Sequence, residues 1–341
     1  MSNIVYVGLD DGHNNTCVVT NEIVDGDFKK ILLPSRATLG GAQSFSIAGQ
    51  EAKTFTYVAG GEEYTVGDVE NTLATNFDDY PRSTMNRIIA NHAMHLAGLG
   101  NKKVVVTSGL PVRQYFMHST VNKKLIKDKK KNLLSSDVGG DVKSRDGLEL
   151  PQVIKHGVIA EGVAAWFDYV VSVNSDGEAQ FDGELARQNV AIIDIGGRTT
   201  DIAVIKESSL ISDKSSTIDV GMLLVRNVIK GLIQEREEVS VNDQEIDRAV
   251  RENKAKIFGQ IVDVSDIVIE AKNQALQKIR HEIKLRIGKG GDIDTVLFVG
   301  GGVLVFEEEI KELFPRNGKI AKDPLFANAR GMMKSSIMSV N

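Results

Sequence analysis

The chain has 341 residues, of which 42% are hydrophobic and 26% are charged, and its formal net charge is -5. This length predicts two domains, each with a sizeable core of its own. The net negative charge argues against a surface that attracts nucleic acid as a whole, and the single cysteine, Cys17, excludes an intrachain disulfide and a cysteine-rich metal site.

The start of the chain predicts a cytoplasmic protein. Its first residues have no basic start and reach two acids, Asp10 and Asp11, too soon for a secretory signal. No apolar run reaches the roughly 20 residues that cross a bilayer. We therefore expect no membrane contact.

Alternating strands and helices follow in the N-terminal half. The expected strands are 4–9, 16–20, 31–33, 44–47, 55–58, 64–66 and 104–106. The expected helices are 84–99, a lysine-rich stretch at 112–133, and 159–173, with a polar hairpin at 139–148.

The C-terminal half follows a polar connector at 175–188 and has the same alternation. Its expected strands are 190–193, 202–205 and 294–299. Its expected helices are 221–234, 242–252, 265–287, a helix from 307, and 323–338. Alternation in both halves predicts α/β layers.

Two segments share one pattern: an apolar strand, Asp-x-Gly, polar residues and a second apolar strand. The first copy contains Asp10, Asp11 and Gly12, and the second is the segment 194–201, with sequence DIGGRTTD. Glycine lets backbone N–H groups approach an anion closely. Mg²⁺ can lie between a carboxylate and a phosphate. A tight turn alone would explain one copy, whereas two copies near the starts of two halves favour a metal-bound polyphosphate.

Two weaker features accompany this repeat. Gly300, Gly301 and Gly302 follow an expected strand and precede a helix, which allows a backbone to approach a nucleoside or phosphate. Glu161 stands at an expected helix start, where the helix dipole also favours an acid. The sequence has no P-loop motif and no dinucleotide-binding glycine motif after a strand.

The order of these features resembles the superfamily of actin, sugar kinases and heat-shock chaperone ATPases, and most closely the ParM (StbA) bacterial plasmid-segregation actins. The segments 8–12, 107–111 and 326–331 add to the resemblance. It implies an α/β actin-like fold of duplicated ribonuclease-H-like domains with a nucleotide cleft between them. Domain I would comprise 1–168 plus 324–341, and domain II 169–323.

The resemblance also implies roles for individual residues. Asp10, Asp11 and Asp194 would hold Mg²⁺, and Glu161, Asp194 and Asp11 would act on the catalytic water. ATP or GTP would be bound by Asp10, Gly12, His13, Asn14, Asn15, Gly196, Gly197, Arg198, Thr199, Gly221, Glu270, Lys272, Gly300, Gly301 and Gly302.

One position departs from the family pattern. Many members have a lysine on the second strand of the first hairpin, where this chain has Cys17. Either Arg198 or another cation supplies the missing charge, or the phosphate is held less tightly. Cys17 itself is interpreted as a small core residue.

The resemblance implies a polymerising ATPase or GTPase that segregates low-copy plasmid DNA. It would form filaments with itself and bind a ParR-like DNA-binding adaptor at a plasmid centromere, without contacting nucleic acid directly. A metabolite kinase of the same superfamily, and a phage, archaeal or cell-shape actin, are the alternatives. The lysine run at 123–131 is interpreted as a solvated helix face, with a DNA or filament contact as its alternative.

Overall fold

The computed structural model describes residues 4–41, 54–69, 72–117, 120–174 and 177–339. The chain divides into two compact units. Unit 1 runs to Arg187 and resumes at Leu325, and unit 2 is Gln188–Pro324. None of the described helices combines the length and the apolar composition that a bilayer crossing requires.

The elements of unit 1 begin with a β-hairpin and end with the last helix of the chain. Its strands are β1 Val5–Asp11, β2 Asn15–Val24, β3 Asp27–Pro34, β4 Ala37–Leu39, β5 Thr54–Ala59, β6 Glu62–Gly67, β7 Lys103–Leu110, β8 Phe116–Met117, β9 Thr120–Val121, β10 Lys143–Ser144, β11 Gln152–Ala160, β12 Val171–Val173 and β13 Ala179–Phe181. Its α-helices are α1 Thr84–Leu96, α2 Val112–Tyr115, α3 Lys123–Leu133, α4 Val163–Val170, α5 Gly183–Arg187 and α10 Ala327–Met338.

The elements of unit 2 lie between α5 and α10. Its strands are β14 Val190–Ile195, β15 Thr200–Lys206, β16 Ser209–Leu210, β17 Ser216–Ile218, β18 Lys254–Ile257, β19 Gln260–Asp263, β20 Thr295–Val299 and β21 Gly318–Ile320. Its α-helices are α6 Met222–Glu237, α7 Asp243–Glu252, α8 Ser265–Ile287 and α9 Glu307–Lys311.

The main sheet of unit 1 has the strand order β11-β7-β1-β2-β3. β1 is antiparallel to β2 and parallel to β7, and β7 is parallel to β11. Side chains alternate between the faces of a strand, so Val7 and Leu9 join a core with Ile88 of α1. Gly8 faces the other way, against the carbonyl of Ala329 in α10.

The main sheet of unit 2 repeats this arrangement. Its order is β16-β15-β14-β20-β21, with β17 beside β15. β14 is antiparallel to β15 and parallel to β20. The apolar side chains of Ile193 and Val204 pack with Ile229 of α6 and Ala275 of α8. The two predicted hairpins are thus confirmed, and each lies beside a parallel strand, so they are built in the same way.

Three predicted elements differ from the structure in extent or in type. Residues 112–133 are not one helix, because Asn122 caps the start of α3 by accepting a hydrogen bond from the Leu125 amide (3.2 Å), and β8 and β9 precede it. Residues 139–148 form a short 3-10 turn followed by β10, which pairs with β5. The helix predicted at 159–173 is shorter in the structure, where α4 covers Val163–Val170. β11 occupies the start of the predicted range, and the valine-rich end of that range forms β12.

Two other expectations have different outcomes. The strand predicted at 44–47 lies outside the described residues. The expected boundary after residue 168 lies within unit 1, because Asp168 of α4 accepts hydrogen bonds from Arg330 (2.7 Å) and Lys334 (2.8 Å) of α10. The hairpin β18–β19 was not predicted at all.

Candidate functional site

The turn between β1 and β2 is held by hydrogen bonds to its carbonyl groups. Ser35 Oγ donates to the Gly12 carbonyl (2.6 Å), and the Ser35 amide donates to the Asn14 carbonyl (2.9 Å). Thr75 Oγ1 donates to the His13 carbonyl (2.5 Å). In a planar trans peptide the N–H points opposite to the C=O. The N–H groups of residues 13–15 are therefore turned away from the groups that fix the turn, as in an anion-binding turn.

His13 is part of this fixation. Its Nδ1 donates to the Thr75 carbonyl (2.5 Å), and its ring lies 5.0 Å from the Tyr80 ring. Only 8% of His13 is exposed. The imidazole thus stabilises the turn from inside unit 1, and the expectation that it donates to a phosphate does not fit this arrangement.

Asp11 forms a buried ion pair. Lys129 Nζ lies 2.8 Å from Oδ1 and 2.7 Å from Oδ2 of Asp11, and Asn86 Nδ2 donates to Oδ2 (2.8 Å). Asp11 is 7% exposed and Lys129 is 1% exposed. Both carboxylate oxygens bind protein groups, so the expected metal and catalytic roles of Asp11 do not fit. The burial of Lys129 also contradicts the interpretation of the whole lysine run at 123–131 as a solvated helix face.

Asp10 and Glu161 lie at the same end of the unit 1 sheet, where the parallel strands β1, β7 and β11 have their carboxyl ends. Asp10 is near the carboxyl end of β1, Glu161 follows β11, and β7 runs between these strands. Neighbouring strands are about 4.8 Å apart, so the two residues are separated by about 10 Å at this end of the sheet. The Glu161 amide donates to the Leu110 carbonyl (2.8 Å), which fixes its backbone on β7.

Gly109 of β7 leaves room for the Glu161 side chain. A Cβ at Gly109 would lie 2.8 Å from Glu161 Cγ and 3.0 Å from its Oε1. The Glu161 carboxylate therefore lies over a position without a side chain. Ser108, the residue before Gly109, donates to His156 Nε2 (2.8 Å), while His156 Nδ1 donates to the Lys130 carbonyl (3.1 Å). Burial lowers the pKa of His156 to about 4, so the ring is neutral and this tautomer is fixed.

The second turn, between β14 and β15, is docked on the start of α6. The Gly196 and Gly197 carbonyls accept from the amides of Met222 (3.0 Å) and Leu223 (2.8 Å). A Cβ at Gly221 would lie 2.5 Å from the Gly197 carbonyl oxygen, so only glycine fits there. By the same peptide geometry, the N–H groups of residues 197 and 198 point away from α6.

The glycine run after β20 packs on the end of β14. Gly300 has φ of +89°, and a Cβ there would collide with Asp194 Oδ1. Gly301 and Gly302 begin a 3-10 turn, and a Cβ at Gly302 would lie 2.9 Å from Ile195 Cβ. The structure thus brings Asp194, which is nearly fully buried, together with the second turn and the glycine run in unit 2.

The hydroxyl groups of the second turn bind within unit 2. Thr199 Oγ1 donates to Asp201 Oδ2 (3.1 Å), and Thr217 Oγ1 donates to Asp201 Oδ1 (2.5 Å). Arg198 Nε lies 3.5 Å from Asp219 Oδ1. Asp201 therefore fixes the turn as a hydrogen-bond acceptor, and the Thr199 hydroxyl is directed to it.

The two predicted residues of α8 differ in their surroundings. Lys272 pairs with Glu309 (2.9 Å) and lies 6.0 Å from the Phe306 ring, whose amide donates to the Gly302 carbonyl (3.1 Å). Lys272 is thus next to the glycine run. Glu270 is exposed and accepts from Gln274 on its own helix (3.3 Å).

The strand registers identify which residues of the two hairpins are equivalent. Asp10 pairs with Cys17, and Asp194 pairs with Asp201, so each aspartate lies opposite the residue seven positions later. Asp10 is therefore the counterpart of Asp194, and Asp11 is the counterpart of the buried Ile195. Cys17 is buried with Ala329, Met333 and Ile337, in agreement with its interpretation as a core residue.

Sequence reasoning missed Lys129, Asn86 and Ser35. One signal for Lys129 was available, because it lies three residues after Ile126 and four before Leu133, on the apolar stripe of α3. Ser35 and Asn86 carry no such signal. Their partners are distant in the sequence and only the fold places them at the first turn.

Within the described residues, no group of three or more His, Cys, Asp or Glu could hold a metal ion. Mg²⁺ with a phosphate needs only one or two carboxylates. Asp10 and Asp194, each beside a turn that presents N–H groups, fit that requirement, and Asp11 does not.

Two family models match the chain. The model "Plasmid segregation protein ParM, N-terminal" matches residues 5–170. The model "Archaeal actin homologue MreB-like, C-terminal" matches residues 192–312. A search of curated proteins found no match to the sequence.

Solved structures share the fold over the whole length. An archaeal actin homologue has a TM-score of 0.74 and 20% identity, covering 98% of this chain and 99% of that chain. The structure of its complex with ADP has a TM-score of 0.72 and 18% identity, with the same coverage of both chains. A 15-stranded ParM filament from Clostridium botulinum has a TM-score of 0.75 and 18% identity, covering 98% of this chain and 99% of that chain. The predicted actin-like fold is confirmed, and residues 5–170 are similar to the N-terminal domain of the plasmid segregation protein ParM.

Proposed function

We propose that the chain is a filament-forming actin-like protein that binds and hydrolyses a nucleoside triphosphate with its two phosphate turns. The observation that carries this proposal is the repeated construction of Asp10 and Asp194. Each aspartate lies next to a turn whose carbonyl groups are bonded back into its own unit, so that N–H groups point outward. Such turns bind phosphate oxygens.

Glu161 is proposed as the residue that acts on the attacking water. Its carboxylate lies over Gly109 at the same end of the sheet as Asp10. A carboxylate there can accept a hydrogen bond from water and orient its lone pair toward the γ-phosphorus. Mg²⁺ held at Asp10 or at Asp194 would neutralise charge on the phosphate oxygens. The ADP complex of the archaeal homologue supports an adenine nucleotide as the substrate.

Substitution of Glu161 tests the enzymatic part. Glu161→Ala should slow phosphate release from Mg-ATP at least about 100-fold, while the Kd for a fluorescent ATP analogue stays within about threefold. Glu184→Ala, at an exposed acid of the same unit, is the matched control. Turnover equal to that of the control would show that Glu161 does not act on the water.

Filament formation is supported by the resemblance to a ParM filament. Light scattering and pelleting with Mg-ATP and Mg-GTP test it directly. A chain that stays monomeric with both nucleotides at high concentration would refute it. Release of phosphate without any added acceptor, together with assembly, would separate this function from that of a metabolite kinase.

We further propose that the filaments segregate plasmid DNA through a DNA-binding adaptor, because the ParM family model matches most of unit 1. Retention of a low-copy plasmid carrying this gene and its flanking DNA tests this role, with Glu161→Ala as the inactive control. The archaeal MreB-like match of unit 2 favours a second candidate, a cell-shape or archaeal actin. Unchanged plasmid retention would favour that candidate.

A further inference from the structure

Two buried polar atoms beneath the first turn lack a hydrogen-bond partner in the protein. The Tyr80 hydroxyl and Asn86 Oδ1 form no hydrogen bond with any described residue. Tyr80 is fully buried and Asn86 is 1% exposed, so bulk solvent does not reach these atoms. Most buried polar groups in folded proteins bind a protein group or an ordered water, because an unpaired one costs the free energy of its desolvation.

The two atoms face side chains that hold the first turn. Ser35 Oγ, which donates to the Gly12 carbonyl (2.6 Å), lies 2.9 Å from Thr16 Oγ1. Burial raises the pKa of Tyr80. That pKa is lowered in turn by three nearby polar side chains, those of Ser35, Asn86 and Thr16. We call these three residues and Tyr80 the polar cluster. The Tyr80 hydroxyl faces the cluster without being in hydrogen-bonding geometry with any member.

The polar cluster is assembled from several elements of unit 1. Thr16 lies opposite Asp11 in the β1–β2 pairing, and Ser35 directly follows β3. Tyr80 begins a 3-10 turn ahead of α1, and Asn86 lies in the first turn of α1. Asn86 Nδ2 donates to Asp11 Oδ2 (2.8 Å), so Oδ1 of the same planar amide points away from that carboxylate. Asn86 thus joins the ion pair of Asp11 to the polar cluster.

The polar cluster has more acceptors than hydroxyl hydrogens to fill them. The Ser35 hydrogen is used at the Gly12 carbonyl, so the Thr16 hydroxyl must donate to Ser35 Oγ. Only the Tyr80 hydroxyl still has a hydrogen to donate, while Asn86 Oδ1 and Thr16 Oγ1 keep free lone pairs. A water molecule accepts one hydrogen and donates two, which matches these groups, and buried waters typically make about three such bonds.

A cation is a poorer match for the same oxygen atoms. Lys129 already neutralises Asp11, with its Nζ 2.8 Å and 2.7 Å from the two carboxylate oxygens. Both side chains are buried. A metal ion in the polar cluster would add a second buried positive charge without an acid to balance it, which is strongly unfavourable. The chemistry of the cluster therefore favours a neutral ligand.

We propose that one water molecule is bound in the polar cluster, and that Tyr80 acts through it as a positioning residue of the first turn. Tyr80 donates to the water, and the water donates to Asn86 Oδ1 and to the hydroxyl pair that holds the Gly12 carbonyl. The Tyr80 ring also lies 5.0 Å from the His13 ring inside the turn. The effect on nucleotide binding rests on the proposed function, whereas the presence of the water does not.

A crystal structure of the full chain at high resolution tests the water directly. We expect density for one water within about 2.6–3.2 Å of both Tyr80 Oη and Asn86 Oδ1. A direct hydrogen bond between these two atoms, with no density between them, would overturn the proposal. Anomalous scattering from the polar cluster in crystals soaked with rubidium would also overturn it, because the ligand would then be a cation.

Tyr80→Phe tests the positioning role, since it removes only the hydroxyl. The Kd for a fluorescent ATP analogue should rise about five- to tenfold, the equivalent of one hydrogen bond. The kcat for phosphate release should stay within about twofold, because Glu161 is not disturbed. Tyr57→Phe is the matched control, because Tyr57 is also fully buried in unit 1 and its hydroxyl bonds to His92 Nδ1 (2.7 Å).

Both tyrosine variants should lower the Tm, and only Tyr80→Phe should weaken nucleotide binding. Equal Kd values for Tyr80→Phe and Tyr57→Phe would show that the Tyr80 hydroxyl only stabilises the fold, and would overturn the positioning role. A wild-type chain that binds neither Mg-ATP nor Mg-GTP would instead refute the proposed function. In that case the crystallographic result would still decide whether the water is bound.

Discussion

Replacement of Lys129 by methionine tests the buried ion pair under the first turn. Lys129 Nζ lies within 2.8 Å of both Asp11 oxygens, and both side chains are buried. Methionine fills a similar volume without charge and leaves the Asp11 carboxylate uncompensated. Removal of one partner of a buried pair costs about 3–5 kcal/mol. We expect Lys129→Met to lower the free energy of unfolding by about that amount.

The control and the double variant separate charge from packing. Lys131→Met changes an exposed lysine of the same helix and should cost less than about 0.5 kcal/mol. Asp11→Asn combined with Lys129→Met removes both charges and keeps an acceptor for Asn86. The double variant should recover most of the loss, with a coupling free energy of about 3 kcal/mol.

Urea denaturation with linear extrapolation measures the unfolding free energies of the wild type, the Lys131→Met control and the three variants of the cycle, of which Asp11→Asn alone is the third. A Lys129→Met loss no larger than that of Lys131→Met would refute the reasoning. The double variant also tests the metal assignment, because a structural Asp11 predicts unchanged Mg-ATP binding. Loss of Mg-dependent binding in a folded double variant would restore Asp11 as a metal ligand.

Three further predictions concern glycine positions and pH. Gly109→Ala should lower ATP turnover by about tenfold or more with little change in nucleotide affinity, since its Cβ would displace Glu161; equal turnover would contradict this. Gly221→Ala, whose Cβ would lie 2.5 Å from a carbonyl oxygen of the second turn, should weaken nucleotide binding as measured by fluorescence titration; unchanged affinity would show that the turn tolerates the displacement. Burial lowers the pKa values of His92 and His156 to about 4, so the unfolded chain binds more protons than the folded chain between about pH 6.5 and 4. The free energy of unfolding should therefore fall as the pH falls through that window, by up to about 2 kcal/mol per histidine at pH 5. Urea denaturation at several pH values should show a smaller fall in the free energy of unfolding for a His156→Gln variant than for the wild type.

Most of the fold could be predicted from local pattern. The hairpins around Asp10 and Asp194 follow from short apolar runs interrupted by Asp-x-Gly, and the period of α8 fixes its extent to Ser265–Ile287. The misses occur where local pattern is ambiguous. The stretch 112–133 is rich in helix formers, yet Asn122 caps the start of α3 and divides it.

The sequence by itself determined the repeated hairpins, the position of Glu161 between them and the glycine run, because these depend on strand alternation and on glycine. Tertiary structure decided that Asp11 is held in a buried ion pair with Lys129. Asp10 and Asp11 look equivalent in the sequence, but successive side chains of a strand face opposite sides. Asp11 thus faces Lys129, which is 118 positions away in the chain. The cost of burying a charge depends on such distant partners, which no local pattern specifies.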